Sequence, residues 1–398
     1  MSYSARSDEL KDGFLKMKTK QDFIILLNLA KSFLLGSKAK EIKSRQLNYY
    51  IQPDHHKQHY REFRIPKKSG DFRVIHAPSN GLLQIQRCLN LILQSIYQPN
   101  PAATGFIPEK SIVDNASVHV GMHYVFNVDL KDFFPSIDQA RIWGRLRQEP
   151  FGLSGERQIF ANMIAALCCH TYETERWNKE TNEWEKKMAA VLPQGAATSP
   201  FLTNIICERL DKRLSNLAMK FGLKYTRYAD DITFSSMYNC YQNNGEFIQK
   251  LKAEIQKENF SLNPSKTRLQ KRGYRQEVTG LVVNSKVGVG KSYEKKMRLM
   301  LYMWETYGLE HLEKILAPAL LKNGKKVQII QFLTGKMEFL RMVKGDTNEA
   351  FQKLKNRFDK LQNKLNPEKN RSNHLSKTLR IINETGMEAA MKYYKIPN

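Results

Sequence analysis

Cysteine is scarce in this chain: its 398 residues include five, Cys88, Cys168, Cys169, Cys207 and Cys240. The set is odd and scattered and contains no C-x-x-C spacing. It supplies neither a disulfide framework nor a thiolate zinc site, and it suits a reducing compartment. Long apolar runs are also missing. Phe23–Leu35 is the most apolar early segment, but Asn28 and Lys31 interrupt it, so it reads as an amphipathic helix and not as a bilayer span. The opening Met-Ser-Tyr-Ser-Ala-Arg-Ser-Asp-Glu has no apolar core, so no secretory signal and no membrane partner are expected, and the expected location is cytoplasmic. Acids are in deficit, with 39 Asp and Glu against 64 Lys and Arg and a net charge of +25. A surplus of that size concentrates polyanions around the protein. Nucleic acid is the leading candidate partner, through phosphate neutralisation. An anionic membrane is the rival, and a solvated basic face with no partner is the plainest alternative. Hydrophobic residues make up 41% and charged residues 26%, a globular composition. The length suffices for one large core or two to three smaller ones.

The stretch around which the chain is organised is Lys-Tyr-Thr-Arg-Tyr-Ala-Asp-Asp-Ile-Thr-Phe-Ser, residues 224–235. Two adjacent carboxylates, Asp230 and Asp231, lie between short runs rich in aromatic and β-branched residues, which predicts a hairpin with the acids at its turn. Side chains alternate along a strand, so only one of the two aspartates can point into a given site. Asp-Asp in a turn is ordinary by itself, because Asp favours turns for local hydrogen-bonding reasons.

Residues 1–60 have apolar residues at helical spacing between Leu10 and Leu47. His55 and His59 share a helix face with His56 between them, but no nearby Cys or acid pair completes a metal set. Phe63–Pro78 reads as strand, Ser-Gly-Asp turn, strand, with Arg64, Lys67, Lys68 and Arg73 at polar positions. Such a hairpin can lay cations along a triphosphate or a template backbone, and a solvated charged hairpin is an equal alternative. Leu82–Tyr97 continues as a helix. Ser111 is positioned to cap a further helix on which Asn115 and His119 fall at i and i+4. A lone His near an apolar face is more often a packed, hydrogen-bonded core residue than a ligand. In the apolar strand that begins at Tyr124, Asp129 is the odd residue, because an unpaired buried carboxylate is expensive.

Asp129 and Asp230 both fall at strand ends of one probable sheet. Carboxylates brought together there repel unless a divalent cation lies between them, and magnesium, a hard cation, takes carboxylate and phosphate oxygens together. Two such ions roughly 3.5–4 Å apart would serve an in-line displacement at phosphorus. Basicity, paired acids and a cationic hairpin together indicate nucleotidyl transfer to a nucleic-acid end.

Four segments in order carry a resemblance. They are Asn-Val-Asp-Leu-Lys-Asp-Phe-Phe-Pro-Ser-Ile from Asn127, Leu-Pro-Gln-Gly-Ala-Ala-Thr-Ser-Pro-Phe-Leu-Thr-Asn (192–204), Tyr-Ala-Asp-Asp, and Leu-Asn-Pro-Ser-Lys-Thr (262–267). They resemble the ordered motifs of reverse transcriptases. Asn115-Ala116-x-x-His119 and Val278-Thr279-Gly280 resemble the retron branch in particular, and the likeness runs over roughly residues 61–345. It implies an α+β right-hand polymerase with fingers, a palm of antiparallel sheet plus helices, and a helical thumb. The corresponding division is an N-terminal helical extension at 1–60, fingers and palm at 61–290, thumb at 291–345 and a basic C-terminal helical region at 346–398.

Carried over residue by residue, the resemblance implies that Asp129, Asp230 and Asp231 ligate two Mg2+ ions. Phe134 gates against a ribose 2′-hydroxyl. Gln194 and Gly195 line the incoming dNTP, and Lys67, Lys68 and Arg73 hold its triphosphate. Tyr228 packs on the primer end, and Lys266 protonates the leaving pyrophosphate. Asn115, His119, Val278, Thr279 and Gly280 become RNA-recognition or scaffold residues. Trp177 and Trp184 flank a charged hairpin tip and are expected to pack across strands, with base stacking as the alternative. The implied activity is RNA-directed DNA synthesis on a dedicated structured noncoding RNA. That RNA serves as template and primer, a 2′-hydroxyl starts synthesis, and the RNA-linked DNA acts with an effector protein in anti-phage defence. A group II intron-type reverse transcriptase or maturase and a non-catalytic RNA-binding scaffold are the alternatives.

Overall fold

The structure is a computed structural model. It describes all residues except 1–2, 37–38, 53–58, 68–69, 179–180, 182, 321–327 and 366–398. The chain forms two compact units, one of residues up to Thr279 with Val283–Lys286, the other of Gly280–Val282 with residues from Val287 onward.

The first unit opens with helices α1 (Tyr3–Lys16), α2 (Lys20–Leu35) and α3 (Ser44–Ile51). Thr19 caps α2 through a reciprocal box with Asp22, which satisfies backbone N–H groups that the first turn leaves unpaired. The interrupted apolar segment is thus a helix that buries Phe23, Ile24, Leu26, Leu27 and Ala30 on one face. The hairpin β1 (Tyr60–Pro66) and β2 (Phe72–Pro78) pairs Tyr60 with Pro78 through to Pro66 with Phe72. Next comes α4 (Asn80–Ile96), whose Leu82, Ile85, Leu89, Ile92, Leu93 and Ile96 recur at helical spacing and are buried. Both α1 and α2 pack on it.

A capping box formed by Ser111 and Asp114 starts the short helix α5 (Ile112–Ser117). The helix ends sooner than the i, i+4 reading of Asn115 and His119 requires: Val118 caps it, and His119 lies in the turn that leads the chain round to β3 (Tyr124–Asp129). After α6 (Gln139–Leu146) and α7 (Gln158–Cys168), the hairpin β4 (His170–Asn178) and β5 (Glu183–Val191) runs in continuous register. Trp177 and Trp184 are cross-strand partners in it, with ring centroids 5.6 Å apart, so they pack on each other as expected.

Helices α8 (Ser199–Ile206) and α9 (Glu208–Lys220) lead into β6 (Lys224–Tyr228) and β7 (Asp231–Ser236), and α10 (Glu246–Lys257) leads into β8 (Arg268–Lys271). These strands and β3 form one sheet in the order β6-β7-β3-β8, with antiparallel pairings. Phe126, Phe234, Tyr241 and Phe247 interlock against it, with Phe126–Tyr241 stacked at 5.0 Å and Phe234–Phe247 edge-on at 5.1 Å. These aromatics hold β3 and β7 against α10, which carries Phe247.

The second unit contains the helices α11 (Lys291–Tyr307), α12 (Leu309–Leu320), α13 (Ile329–Lys344) and α14 (Glu349–Leu365). Its core contains Met297, Leu301, Trp304, Leu333, Met337, Leu340, Phe351 and Phe358. Lys344 pairs with Glu294 at 2.7 Å, and the Arg357 Nε bonds Glu305 at 2.9 Å. The Asn-Pro-Glu-Lys-Asn-Arg-Ser-Asn break at 366–373 lies outside the described residues.

Candidate active site

Alternation along β3 and β7 brings the acids together. Asp129 is the last residue of β3 and is the register partner of Asp231, the first residue of β7. Tyr228 pairs with Asp231, which leaves Ala229 and Asp230 as a two-residue hairpin loop. The Asp230 carbonyl accepts from the Leu130 N–H at 3.2 Å, fastening the loop to the end of β3. Asp129 is buried, Asp230 half-buried and Asp231 open to solvent. Three carboxylates are therefore held at one end of one sheet.

The Asp129 carboxylate accepts from Lys266 Nζ at 2.9 and 3.0 Å and from Asn263 Nδ2 at 3.1 Å. Both donors come from the segment around the short 3-10 turn Pro264–Lys266, which Asn263 anchors by donating its N–H to the Asp129 carbonyl at 2.8 Å. Burial, then the neighbouring Asp129 carboxylate, push the Asp230 carboxyl above its usual range, and Lys266 and Arg73 oppose them. Burial, then Asp230 and Asp129, push Asp231 up to about 6. Its open side moderates that rise through solvent screening. Like charges this close disfavour one another's ionisation, so the site favours an added cation.

A cavity of about 410 Å³ opens on these groups. It is lined by Asp129, Asp230 and Lys266 and by four further residues singled out in the sequence: Lys67, Arg73, Phe134 and Gln194. Lys68 lies outside the described residues. The hairpin β1–β2 reaches the cavity because the Gln194 carbonyl accepts the His76 N–H at 2.8 Å. Gly195 makes this contact possible: its φ is +126°, and a Cβ there would stand 2.8 Å from the His76 carbonyl oxygen. Phe134 is set edge-on to buried Phe133, with centroids 5.5 Å apart.

Tyr228 and Asp231 are not among the residues lining the cavity. The Tyr228 ring packs toward Phe106 at 6.0 Å. Asn115 and His119 are buried and committed to protein partners. Asn115 accepts from the Thr104 hydroxyl at 2.8 Å and donates to the Thr279 hydroxyl at 3.4 Å. His119 bridges Ser235 Oγ at 2.7 Å and Thr226 Oγ1 at 2.8 Å, hydroxyls of adjacent strands β7 and β6. Desolvation pushes its pKa down to about 3, so it is neutral. Val278 is buried, and Thr279 and Gly280 form a turn with φ of +46° and +81°. None of these side chains reaches the cavity.

Lining residues that were not singled out in the sequence include His76, Tyr172, Asn263 and Lys131. The rings of His76 and Tyr172 lie 4.0 Å apart, which joins the two hairpins at the cavity wall. Asn263 stands inside the motif that carries Lys266, so its signal was present; Tyr172 comes from the β4–β5 hairpin and had none.

Comparison with known proteins places this geometry. The family described as "Reverse transcriptase (RNA-dependent DNA polymerase)" matches residues 65–287, more than half the chain. Retron Mx65 reverse transcriptase of Myxococcus xanthus is 38% identical over 255 residues, covering 63% of this chain and 57% of that protein. Retron Ec86 reverse transcriptase of Escherichia coli is 31% identical over 248 residues, covering 61% of this chain and 69% of that protein. The chain belongs to the reverse transcriptase family, in its retron branch. With the family comes the α+β right-hand polymerase fold expected from the sequence. Retron Mx162 reverse transcriptase, also from Myxococcus xanthus, is 38% identical over 57% of this chain. The chain spans about half the length of the two Myxococcus relatives, 57% and 47%. In this retron-type chain the matched region holds β2, the β4–β5 hairpin, the four-stranded sheet and every residue of the aspartate cavity. Among the described residues no helix is long and apolar enough to cross a membrane.

Proposed function

We propose that the chain is an RNA-directed DNA polymerase that adds deoxynucleotides to a nucleic-acid end at Asp129, Asp230 and Asp231. The observation that carries this reading is the register pairing of Asp129 with Asp231, which sets Asp230 at the mouth of a cavity rimmed by Lys67, Arg73, Phe134 and Gln194. Among the described residues no group of three or more His, Cys, Asp or Glu side chains stands gathered so that it could hold a metal ion. The donor set nevertheless suits a hard cation. The Asp129 carboxylate helps raise the pKa of Asp230 and Asp231, and a lysine ammonium already sits on Asp129. Asp129 and Asp230, with Asp231 beside them, would hold two Mg2+, which supply Lewis acidity toward the attacking hydroxyl and the phosphate charge.

The protein's own groups do the rest. Lys67, Arg73 and, by sequence, Lys68 bind the triphosphate. Gln194 and Gly195 hold the incoming dNTP, and Phe134 excludes a ribose 2′-hydroxyl. Tyr228 supports the primer end. Lys266, freed from Asp129, gives a proton to the departing pyrophosphate. Asn115, His119, Val278, Thr279 and Gly280 act as scaffold, because the first two spend their polar atoms on protein partners.

Residues 1–60 are the N-terminal extension, 61–290 fingers and palm, 291–345 thumb and 346–398 a basic C-terminal region. The retron relatives and the +25 charge support a dedicated structured noncoding RNA as template and primer. Synthesis starts at a 2′-hydroxyl of that RNA and yields RNA-linked single-stranded DNA. The product works in the cytoplasm with an effector protein in defence against phage.

The test replaces Asp230 and Asp231 together by Asn, which keeps shape and removes charge. DNA synthesis on an RNA template should fall to background while RNA binding and its salt dependence persist. Surviving synthesis refutes the assignment.

A further inference from the structure

Behind the aspartate loop lies a buried ion pair to which neither the sequence motifs nor the proposed chemistry gives a role. Arg227, on β6, and Asp211, on α9, both have side chains with no solvent exposure. The guanidinium grips the carboxylate with two arms, Nε to Oδ1 at 2.7 Å and Nη2 to Oδ2 at 2.6 Å. Tyr225 donates its hydroxyl to the same carboxylate at 2.8 Å. Two contacts lead out of the pair. Nη2 also reaches Asn204 Oδ1 at 3.1 Å, and Nη1 donates to the Ala229 carbonyl at 3.1 Å.

Ala229 is the residue that needs holding. It stands between Tyr228 and Asp230 with φ at +58°, a left-handed conformation that disfavours a residue with a Cβ. Its nitrogen side is closed in as well. A Cβ on Gly105 would meet the Ala229 nitrogen at 2.9 Å, and the Gly105 carbonyl is fixed by Asn204 Nδ2 at 2.8 Å. Asn204 lies on α8, the helix that follows the Gln194-Gly195 loop. One guanidinium thus ties the loop that carries Asp230 to two helices. Fold stability alone does not call for this, because well-packed apolar residues generally replace a buried ion pair without loss.

We propose that Arg227 is a positioning residue for the aspartate loop: braced by Asp211 and Asn204, it holds Ala229 in its left-handed conformation and so sets where Asp230 and Asp231 present their carboxylates. This rests on the polymerase reading, and it concerns the geometry of the acids and not their identity.

The test is Arg227→Lys. An ammonium can still pair with Asp211, but it lacks the planar fork that spans Asp211, Asn204 and the Ala229 carbonyl at once. The variant should unfold cooperatively near the wild-type temperature. Mn2+ binding in the absence of nucleic acid, followed by electron paramagnetic resonance, should weaken about tenfold, and kcat should fall about 100-fold while the dNTP KM stays within about twofold. A purely structural role predicts unchanged Mn2+ affinity and unchanged kcat in the folded variant, and that result overturns the proposal. Should Arg227→Lys lose its cooperative transition, Asn204→Ala provides the same three readouts, with the same pattern expected and unchanged values again overturning it. Wild type and the Asp230→Asn, Asp231→Asn double variant run alongside. If synthesis does not depend on those acids, the polymerase reading fails; if it does and Arg227→Lys matches wild type, only the positioning role fails.

Discussion

Replacing Gly195 by Ala perturbs the contact between the β1–β2 hairpin and the Gln194 loop at a single point. Two costs follow from the structure. The backbone stands at φ +126°, where an L side chain is strained by about 1–3 kcal/mol. The new Cβ would lie 2.8 Å from both the His76 carbonyl oxygen and Ile75 Cγ2, and overpacking of that kind costs a further 1–3 kcal/mol or so. If β2 yields, part of the second cost is relieved, and the net loss is about 2 kcal/mol, or roughly 4–8 °C in Tm. The relief has a functional consequence, because β2 carries Arg73 and adjoins Lys67, both of which line the cavity. Thermal unfolding combined with dNTP titration on an RNA template should therefore show a lower Tm and a dNTP KM raised about tenfold, with kcat less affected. Gly144→Ala is the control. It sits inside α6, where a Cβ meets nothing within 4 Å, so it should stabilise by about 0.5–1 kcal/mol and leave KM alone. Wild-type Tm and KM in Gly195→Ala would refute the claim that this glycine joins hairpin to loop.

Lys266→Met should remove the cation from Asp129, whose side chain is 7% exposed, and leave its carboxylate beside that of Asp230 without a counter-charge. The metal-free protein should lose about 1–2 kcal/mol, roughly 3–6 °C in Tm, and Mg2+ should raise its Tm more than it raises that of wild type; an unchanged metal-free Tm would contradict the pairing. His119→Gln tests the neutral histidine. Its folded pKa of about 3 lies below the ordinary value of 6.5, so the unfolded chain binds more protons between those limits and stability is lost as pH falls through that window. Denaturant unfolding at pH 7 and pH 5 should show a smaller acid loss in the variant than in wild type, and an equal loss would rule out His119 as its source.

Much of the active end of the sheet was legible because it obeys periodic rules. The aromatic and β-branched runs on either side of Ala229 and Asp230 are what a hairpin needs, and Asp129 announced itself as a charge in an apolar strand. The amphipathic reading of Phe23–Leu35 likewise followed from spacing. What spacing could not supply was the long-range partner. Asn115 and His119 look like one helix face in the sequence, yet α5 stops at Ser117, and His119 reaches its hydroxyl partners from a turn. Tyr172 enters the cavity only because β4 and β5 bring it beside His76, a contact between residues far apart in the chain.

The same distinction explains why Arg227 escaped notice although it stands three residues before Asp230 in the most informative stretch of the sequence. Within a β-strand an arginine reads as a solvent-facing or phosphate-binding cation, and in a chain with 64 lysines and arginines one more carries no signal. Its meaning depends on Asp211 and Asn204, which lie on helices where neither stands out from its neighbours. A buried charge must find a partner, and a guanidinium with five donors can satisfy a carboxylate and still have N–H groups to spare. In this fold one spare group goes to the carbonyl of the strained loop residue. A single buried arginine therefore does what a run of local turn residues does not do here: it holds Ala229, where a glycine would sit without help, in the conformation that presents two aspartates.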